Sequence, residues 1–169
     1  MASPIVLRPL LPGEFAEARP PEDGFDDFGP RAGYDAPPPS RVDADGTLAI
    51  EAVDAGGGPI GTVGWHWVQW GPNAGSRCPM IGIWLSPERR GRGFGTLAQR
   101  QVTDLLFRHT TANRVEAHTE VENVAEQHAL ENAGFTREGI TRGSTWRDGA
   151  YRDGVLYAIL RADWEATSA

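Results

Sequence analysis

The sequence predicts a mixed α/β fold: one sheet of six or seven strands, with helices inserted after the fourth and the fifth. Three observations carry this. An apolar run from Met80 to Leu85 reads as a buried strand and leads through a glycine-rich turn into a helical stretch. Arg114–Glu120 alternates as a strand does and is followed by a second helical stretch opening at Asn123. The remaining apolar segments are strand-like, and two pairs of them are joined by hairpin turns, Asp54-Ala-Gly-Gly-Gly58 and Asp148-Gly149.

In chain order, Pro4–Leu11 contains a short apolar strand cut by Pro9, and residues 12–19 are long enough for one or two helical turns. Residues 20–46 are rich in proline, glycine and aspartate, so the expectation there is irregular backbone and no long helix. Strands follow at 46–53 and 59–69. The second places Trp65, Trp67 and Gln69 on one face and His66, Val68 and Trp70 on the other; with aromatics on both, one face is expected to line a pocket. A polar loop, Gly71–Pro79, leads to the central strand, which Ser86-Pro87 ends. The helix over 96–109 carries Leu97, Ala98, Val102, Leu105 and Leu106 at helical spacing, a core-facing stripe. In the strand 114–120, Val115, Ala117 and Thr119 face one way, and Glu116, His118 and Glu120 the other. Val124, Ala129, Leu130 and Ala133 are the apolar residues of the next helix, and Gly134 stops it. Strands at 136–147 and 150–161 complete the sheet.

The turn between the central strand and its helix, Arg90-Gly-Arg-Gly-Phe-Gly95, has the composition of an anion cradle. Glycines let backbone approach a phosphate, the first N–H groups of the helix point at it, and Arg89, Arg90 and Arg92 add positive charge. It is not a P-loop, because no Lys-Ser/Thr pair follows and the chain contains no lysine. Nor is it a dinucleotide fingerprint, since the glycines run Gly91-x-Gly93-x-Gly95 and no acidic residue ends a strand about 20 residues on.

Arg90-x-x-Gly93-x-Gly95 resembles the acetyl-CoA pyrophosphate loop of the GNAT acetyltransferase superfamily. Arg114–Glu120, Asn123-Val-Ala-Glu-Gln127 and Leu130-Glu-Asn-Ala-Gly-Phe135 resemble that superfamily's following strand, helix and helix ending. The resemblance runs over roughly residues 45–164 and is greatest to the ribosomal-protein alanine N-acetyltransferase-like (RimJ/RimL-type) branch. It implies a single GNAT-like domain over 1–169, with a mostly antiparallel sheet splayed between its fourth and fifth strands. Residues 20–46 then stand where the family has two helices lining the acceptor site.

It also implies acetyl-CoA as co-substrate. Backbone of Ile83, Trp84 and Leu85 would hold the pantetheine arm, Arg90, Gly91, Arg92, Gly93, Phe94, Gly95 and Thr96 the pyrophosphate, and Asn123 would contact the cofactor from the second helix. The family's glutamate base is replaced here by His118, an imidazole chemically able to deprotonate an amine. Glu120, on the same face, is a candidate to orient His118 or to act itself, and His66 is a third. Leu130 replaces a tyrosine that serves many relatives as acid, which leaves Glu126 and Tyr157 as other donors to consider.

The reaction so implied is acetyl transfer to a primary amine of a small metabolite or peptide N-terminus. Two other readings share the site: an acyltransferase using a carrier-protein thioester or aminoacyl-tRNA, and an acyl-CoA sensor without turnover.

Composition narrows the partners. At 169 residues the chain suffices for one domain with a real core. It has no 18-residue apolar run and no basic-then-apolar opening, so a cytoplasmic, membrane-free location is expected. The net charge of −7 is uneven: residues 14–54 hold eleven acidic side chains against three arginines. That distribution argues against bulk nucleic-acid binding and suits a cationic acceptor. The lone Cys78 reads as incidental, and the four histidines lack zinc spacing, so no metal is expected. Homodimers are common in the family, though no residue here demands one.

Overall fold

The computed structural model describes residues 5–14, 41–53 and 58–168. Seven strands form one sheet: β1 (Ile5–Pro9), β2 (Gly46–Ala52), β3 (Gly61–Gln69), β4 (Arg77–Leu85), β5 (Arg114–Glu120), β6 (Thr136–Arg147) and β7 (Ala150–Leu160). Among the described residues three α-helices accompany it, α1 (Phe94–His109), α2 (Val124–Ala133) and α3 (Arg161–Ser168). The spatial order is β1-β2-β3-β4-β5-β7-β6. Every neighbouring pair is antiparallel except β4 and β5, which the α1 crossover makes parallel.

The parallel ladder is short. It pairs only Met80 with Glu116 and Ile81 with Ala117. Beyond it β4 keeps pairing with β3 as far as Leu85, while β5 keeps pairing with β7 as far as Glu120. The sheet is therefore splayed, with Gly82–Leu85 on one lip and His118–Glu120 on the other.

Which β4 groups face the splay follows from the ladder. Ser86 N–H donates to Ile60 O at 3.0 Å, and Trp70 N–H to Ser76 O at 3.0 Å. Trp67 N–H instead turns away from β4, to Asp45 Oδ1 at 2.9 Å. Antiparallel pairs alternate between bonded and non-bonded, so Trp84 spends its backbone on Thr62 of β3. Ile83 and Leu85 then present theirs to the splay.

One face of the sheet is covered. Val63, Trp65, Ile81, Val115, Ala117, Val155 and Tyr157 form a buried core with Phe94, Ala98, Val102, Leu106 and Phe107 of α1 and Leu130 of α2. Thr96 Oγ1 donates to Ala129 O at 3.4 Å and Arg100 bonds Asn132 O, tying α1 to α2. On the opposite face, alternation and register align His66, Met80, Trp84, Glu116, His118 and Glu120.

The structure corrects several expectations. The loop after β3 ends at Ser76, so Cys78 and Pro79 lie inside β4. Proline is tolerated there because the missing donor would point toward β5, whose pairing reaches back only to Met80. Helix α1 begins two residues early, at Phe94, because that ring is buried in the core. The last strand ends at Leu160, one residue before its expected end, and a helix that was not expected, α3, follows; its Trp164 ring lies 5.3 Å from that of Phe107. Arg161, at the start of α3, caps the end of α1 by donating to Phe107 O, Thr110 O and Ala112 O at 2.8–3.0 Å. The expected turns at 15–19, the irregular stretch over 20–40 and most of the 54–58 hairpin lie outside the described residues.

Candidate active site

The cradle closes one end of the splay. After β4, Ser86 accepts from Arg89 N–H at 2.8 Å and Pro87 from Arg90 N–H at 3.2 Å, forming a single turn over Pro87–Arg89. Gly91 (φ 70°) and Gly93 (φ 79°) are left-handed, which is why glycine is needed at these two positions. The first helical bond of α1 runs from Leu97 N–H to Gly93 O at 3.2 Å, so the N–H groups of Phe94, Gly95 and Thr96 have no acceptor within the helix. The side chain of Phe94 is core, leaving only its backbone to the cradle. Arg90 Nε donates to Leu85 O at 2.9 Å, pinning the turn to the strand end, while Arg92 is exposed. Thus Leu85 keeps an N–H, and Ile83 both backbone groups, for a ligand in the splay. Trp84 spends its backbone on β3; its indole Nε1 is buried and has no partner among the described residues.

On the other lip, His118 is half-buried against Gly154, where an added Cβ would collide with the ring. Its Nε2 is 2.7 Å from Thr141 Oγ1 and 3.2 Å from Ser144 Oγ. Burial holds the imidazole below its usual pKa, with the charge of Glu120 pulling the other way. Thr141 and Ser144 reach it because β6 is irregular between Thr141 and Thr145, with Gly143 at φ 57°. Sequence reasoning passed over both hydroxyls; the Gly143-Ser144 pair inside a strand was the available signal.

Glu120 is engaged. Arg147, itself buried, donates Nε to Oε1 at 2.6 Å and Nη2 to Oε2 at 2.8 Å, a two-pronged bond that occupies both carboxylate oxygens. His66 is exposed on β3, beside Met80.

Asn123 caps α2, its side chain accepting from Glu126 N–H at 3.3 Å. Glu126 is largely buried between the helices. Gln99 Nε2 donates to its Oε1 at 2.6 Å, and burial pushes the carboxyl pKa up to about 7, the Gln99 bond opposing. Leu130 is in the core; the Tyr157 ring is buried there too, and its hydroxyl donates to Glu131 Oε1 at 3.1 Å. Burial pushes the Cys78 thiol up to about 11, which makes it a poor nucleophile.

The arrangement is a splayed sheet, with backbone donors on one lip, a glycine cradle at a helix start and an imidazole on the other lip. The sequence profile of the Acetyltransferase (GNAT) domain matches residues 38–136, and the chain belongs to this family of acyltransferases. Among solved structures, it is similar to Mycobacterium smegmatis RimJ, determined with CoA-disulfide, at 28% identity and TM-score 0.62 over 71% of this chain. It is similar also to Vibrio cholerae spermidine N-acetyltransferase, determined with CoA and spermine, at 25% identity and TM-score 0.62 over 72% of this chain and 69% of that one. The Vibrio fischeri ribosomal-protein-S5-alanine acetyltransferase, at 22% identity and TM-score 0.63 over 72% of this chain and 64% of that one, shares the fold. The chain spans 55% of the length of the mycobacterial protein. No curated protein matches the sequence. Among the described residues no helix is long and apolar enough to cross a membrane.

Proposed function

We propose that the chain is an acetyl-CoA-dependent N-acetyltransferase acting on a primary amine of a small metabolite or peptide N-terminus. The observation that carries this reading is the splay itself. Among the described residues it leaves both backbone groups of Ile83 and the N–H of Leu85 outside the hydrogen bonds of any strand ladder opposite His118, with the Gly91–Thr96 cradle at its end. Extended pantetheine has amides for those strand groups, and the pyrophosphate suits a helix N-terminus flanked by Arg89 and Arg92. The side-chain oxygen of Asn123 is occupied by the cap, so its amide N–H groups are what it offers the cofactor. Bound acetyl-CoA supplies an acyl thioester open to attack by a neutral amine.

His118 accepts the amine's proton. A lowered pKa keeps the ring neutral at physiological pH, as a base must be. In the tautomer that donates Nε2–H to Thr141 Oγ1, the free lone pair is on Nδ1. Glu120, occupied by Arg147, positions the strand end and biases the ring electrostatically; it is not the base in this account. The Vibrio cholerae neighbour, a spermidine N-acetyltransferase determined with CoA and spermine, supports an amine acceptor.

The test is release of free CoA thiol from acetyl-CoA across a panel of primary amines and short peptides. The lysine-free chain presents no lysine of its own as a competing acceptor. Amine-dependent release with acetylated product is expected. CoA binding with no amine-dependent release would make the protein a sensor instead.

A further inference from the structure

We propose that Thr141 and Ser144 are positioning residues for His118, fixing its ring as the Nε2–H tautomer and so making Nδ1 the atom that takes the amine's proton. The inference rests on the reading of His118 as the base.

Three polar groups meet in a triangle. His118 Nε2 is 2.7 Å from Thr141 Oγ1 and 3.2 Å from Ser144 Oγ, and the two hydroxyls are 2.9 Å apart. In a regular strand, residues three apart point to opposite faces. The irregularity of β6 between Thr141 and Thr145 is what turns both hydroxyls toward one nitrogen. Asp153 of β7 holds the kink, its Oδ1 accepting from Gly143 N–H at 2.7 Å. The ring itself lies against Gly154, where a Cβ would strike both it and Thr141 Oγ1.

The number of hydrogens assigns the tautomer. Each of the three contacts needs a hydrogen between its two atoms. With Nε2–H present, that hydrogen is shared by the two oxygens. The Thr141 hydroxyl then donates to Ser144, whose own proton is left for water at its exposed position. With a bare lone pair on Nε2, two hydroxyl protons must serve three contacts. One contact is then oxygen against oxygen, or oxygen against the lone pair.

The same arrangement suits a base. The imidazolium also carries Nε2–H, so a proton arriving at Nδ1 reverses no bond in the triangle. The bonds to the hydroxyls strengthen, because their donor becomes charged. Charge developing on the ring thus meets acceptors already in place. The charged groups on the surrounding elements are Glu120 on β5, Arg142 and Arg147 on β6, and Arg152 and Asp153 on β7; the β4 lip, Gly82–Leu85, has none. Arg147 is bonded to Glu120 and Asp153 to Gly143, and Glu120 is the charge that bears on the ring.

Nitrogen-resolved NMR of the His118 ring, in the full chain without ligand, reads the tautomer and the ring's titration. Wild type is expected to show Nε2–H in the neutral ring. In Thr141→Val the Nδ1–H form is expected to appear and the ring to titrate about one pH unit lower, with Thr141→Ser restoring both. Ser144→Ala is expected to shift the titration the same way by less. In amine-dependent CoA release, the acidic limb of Thr141→Val should move down with the ring and the plateau of kcat/KM fall about tenfold, again restored by Thr141→Ser. A merely structural role would lower the plateau and leave the limb in place. The wild-type tautomer stands by itself if a variant does not fold. An Nδ1–H ring in wild type, an unmoved tautomer and titration in Thr141→Val, or a limb that stays while the ring's titration moves overturns the proposal. If no amine is acetylated, the acyl-transfer reading fails, and the ring measurements still decide the tautomer.

Discussion

Replacing Glu126 by glutamine removes a charge that the fold tolerates poorly. Burial between α1 and α2 raises this carboxyl from 4.5 to about 7. A raised folded-state pKa means that the group's contribution is complete below the unfolded value and is lost as pH rises through the folded one. The window is therefore about pH 4.5 to 7. The difference of roughly 2.5 units corresponds to about 3 kcal/mol of stability lost by pH 8. A neutral side chain of the same shape escapes that loss. It also donates an N–H toward Gln99, whose buried Oε1 has no partner among the described residues. In wild type only the protonated carboxyl offers the same donor. Glu126→Gln is thus expected to gain under about 1 kcal/mol at pH 5 and about 3 kcal/mol at pH 8, the latter roughly 6–12 °C in Tm for a chain of this size. Urea denaturation of both proteins from pH 5 to pH 8 measures this directly. A variant no more stable than wild type at pH 8, or equally stabilised at both ends, would refute the argument.

Three further outcomes follow from the geometry. His118→Ala should lower kcat/KM about a hundred- to ten-thousand-fold and remove the acidic limb of the pH–rate profile. That limb lies below the ordinary histidine range, because burial disfavours the imidazolium. Gly154→Ala places a methyl group against the His118 ring and 2.7 Å from Thr141 Oγ1, so turnover should fall about tenfold or more with CoA affinity unchanged. Arg161→Ala strips three carbonyls at the end of α1 of their donors and should cost about 2–3 kcal/mol in chemical denaturation without changing CoA affinity.

What the sequence disclosed was local. The cradle is legible because glycine, proline and the helix stripe act within a few residues, and the α2 cap because Asn123 bonds three residues ahead. The faces of β5 could be read from alternation alone, since a strand's period does not depend on its partners. What escaped depends on distant chain. The Arg147–Glu120 pair spans 27 residues, and His118 meets Thr141 only through the irregularity in β6. Helix α3 is held by Arg161 and Trp164 packing on the end of α1, contacts that no local propensity encodes. The start of β4 escaped too, because Cys78 and Pro79 join it by pairing with Val68 and Trp67 of β3, which the polar loop sequence does not announce.

The central claim is that the splay and its cradle hold CoA. Calorimetric titration of CoA into the wild-type chain and into Gly93→Glu tests it most directly. Gly93 has φ 79° at the start of α1, so glutamate there adds both backbone strain and negative charge where the phosphates are placed. Micromolar binding by wild type, weakened at least about a hundredfold in the variant while its thermal unfolding remains cooperative, is the predicted result. Equal affinity in the two proteins, or none in wild type, would contradict the account.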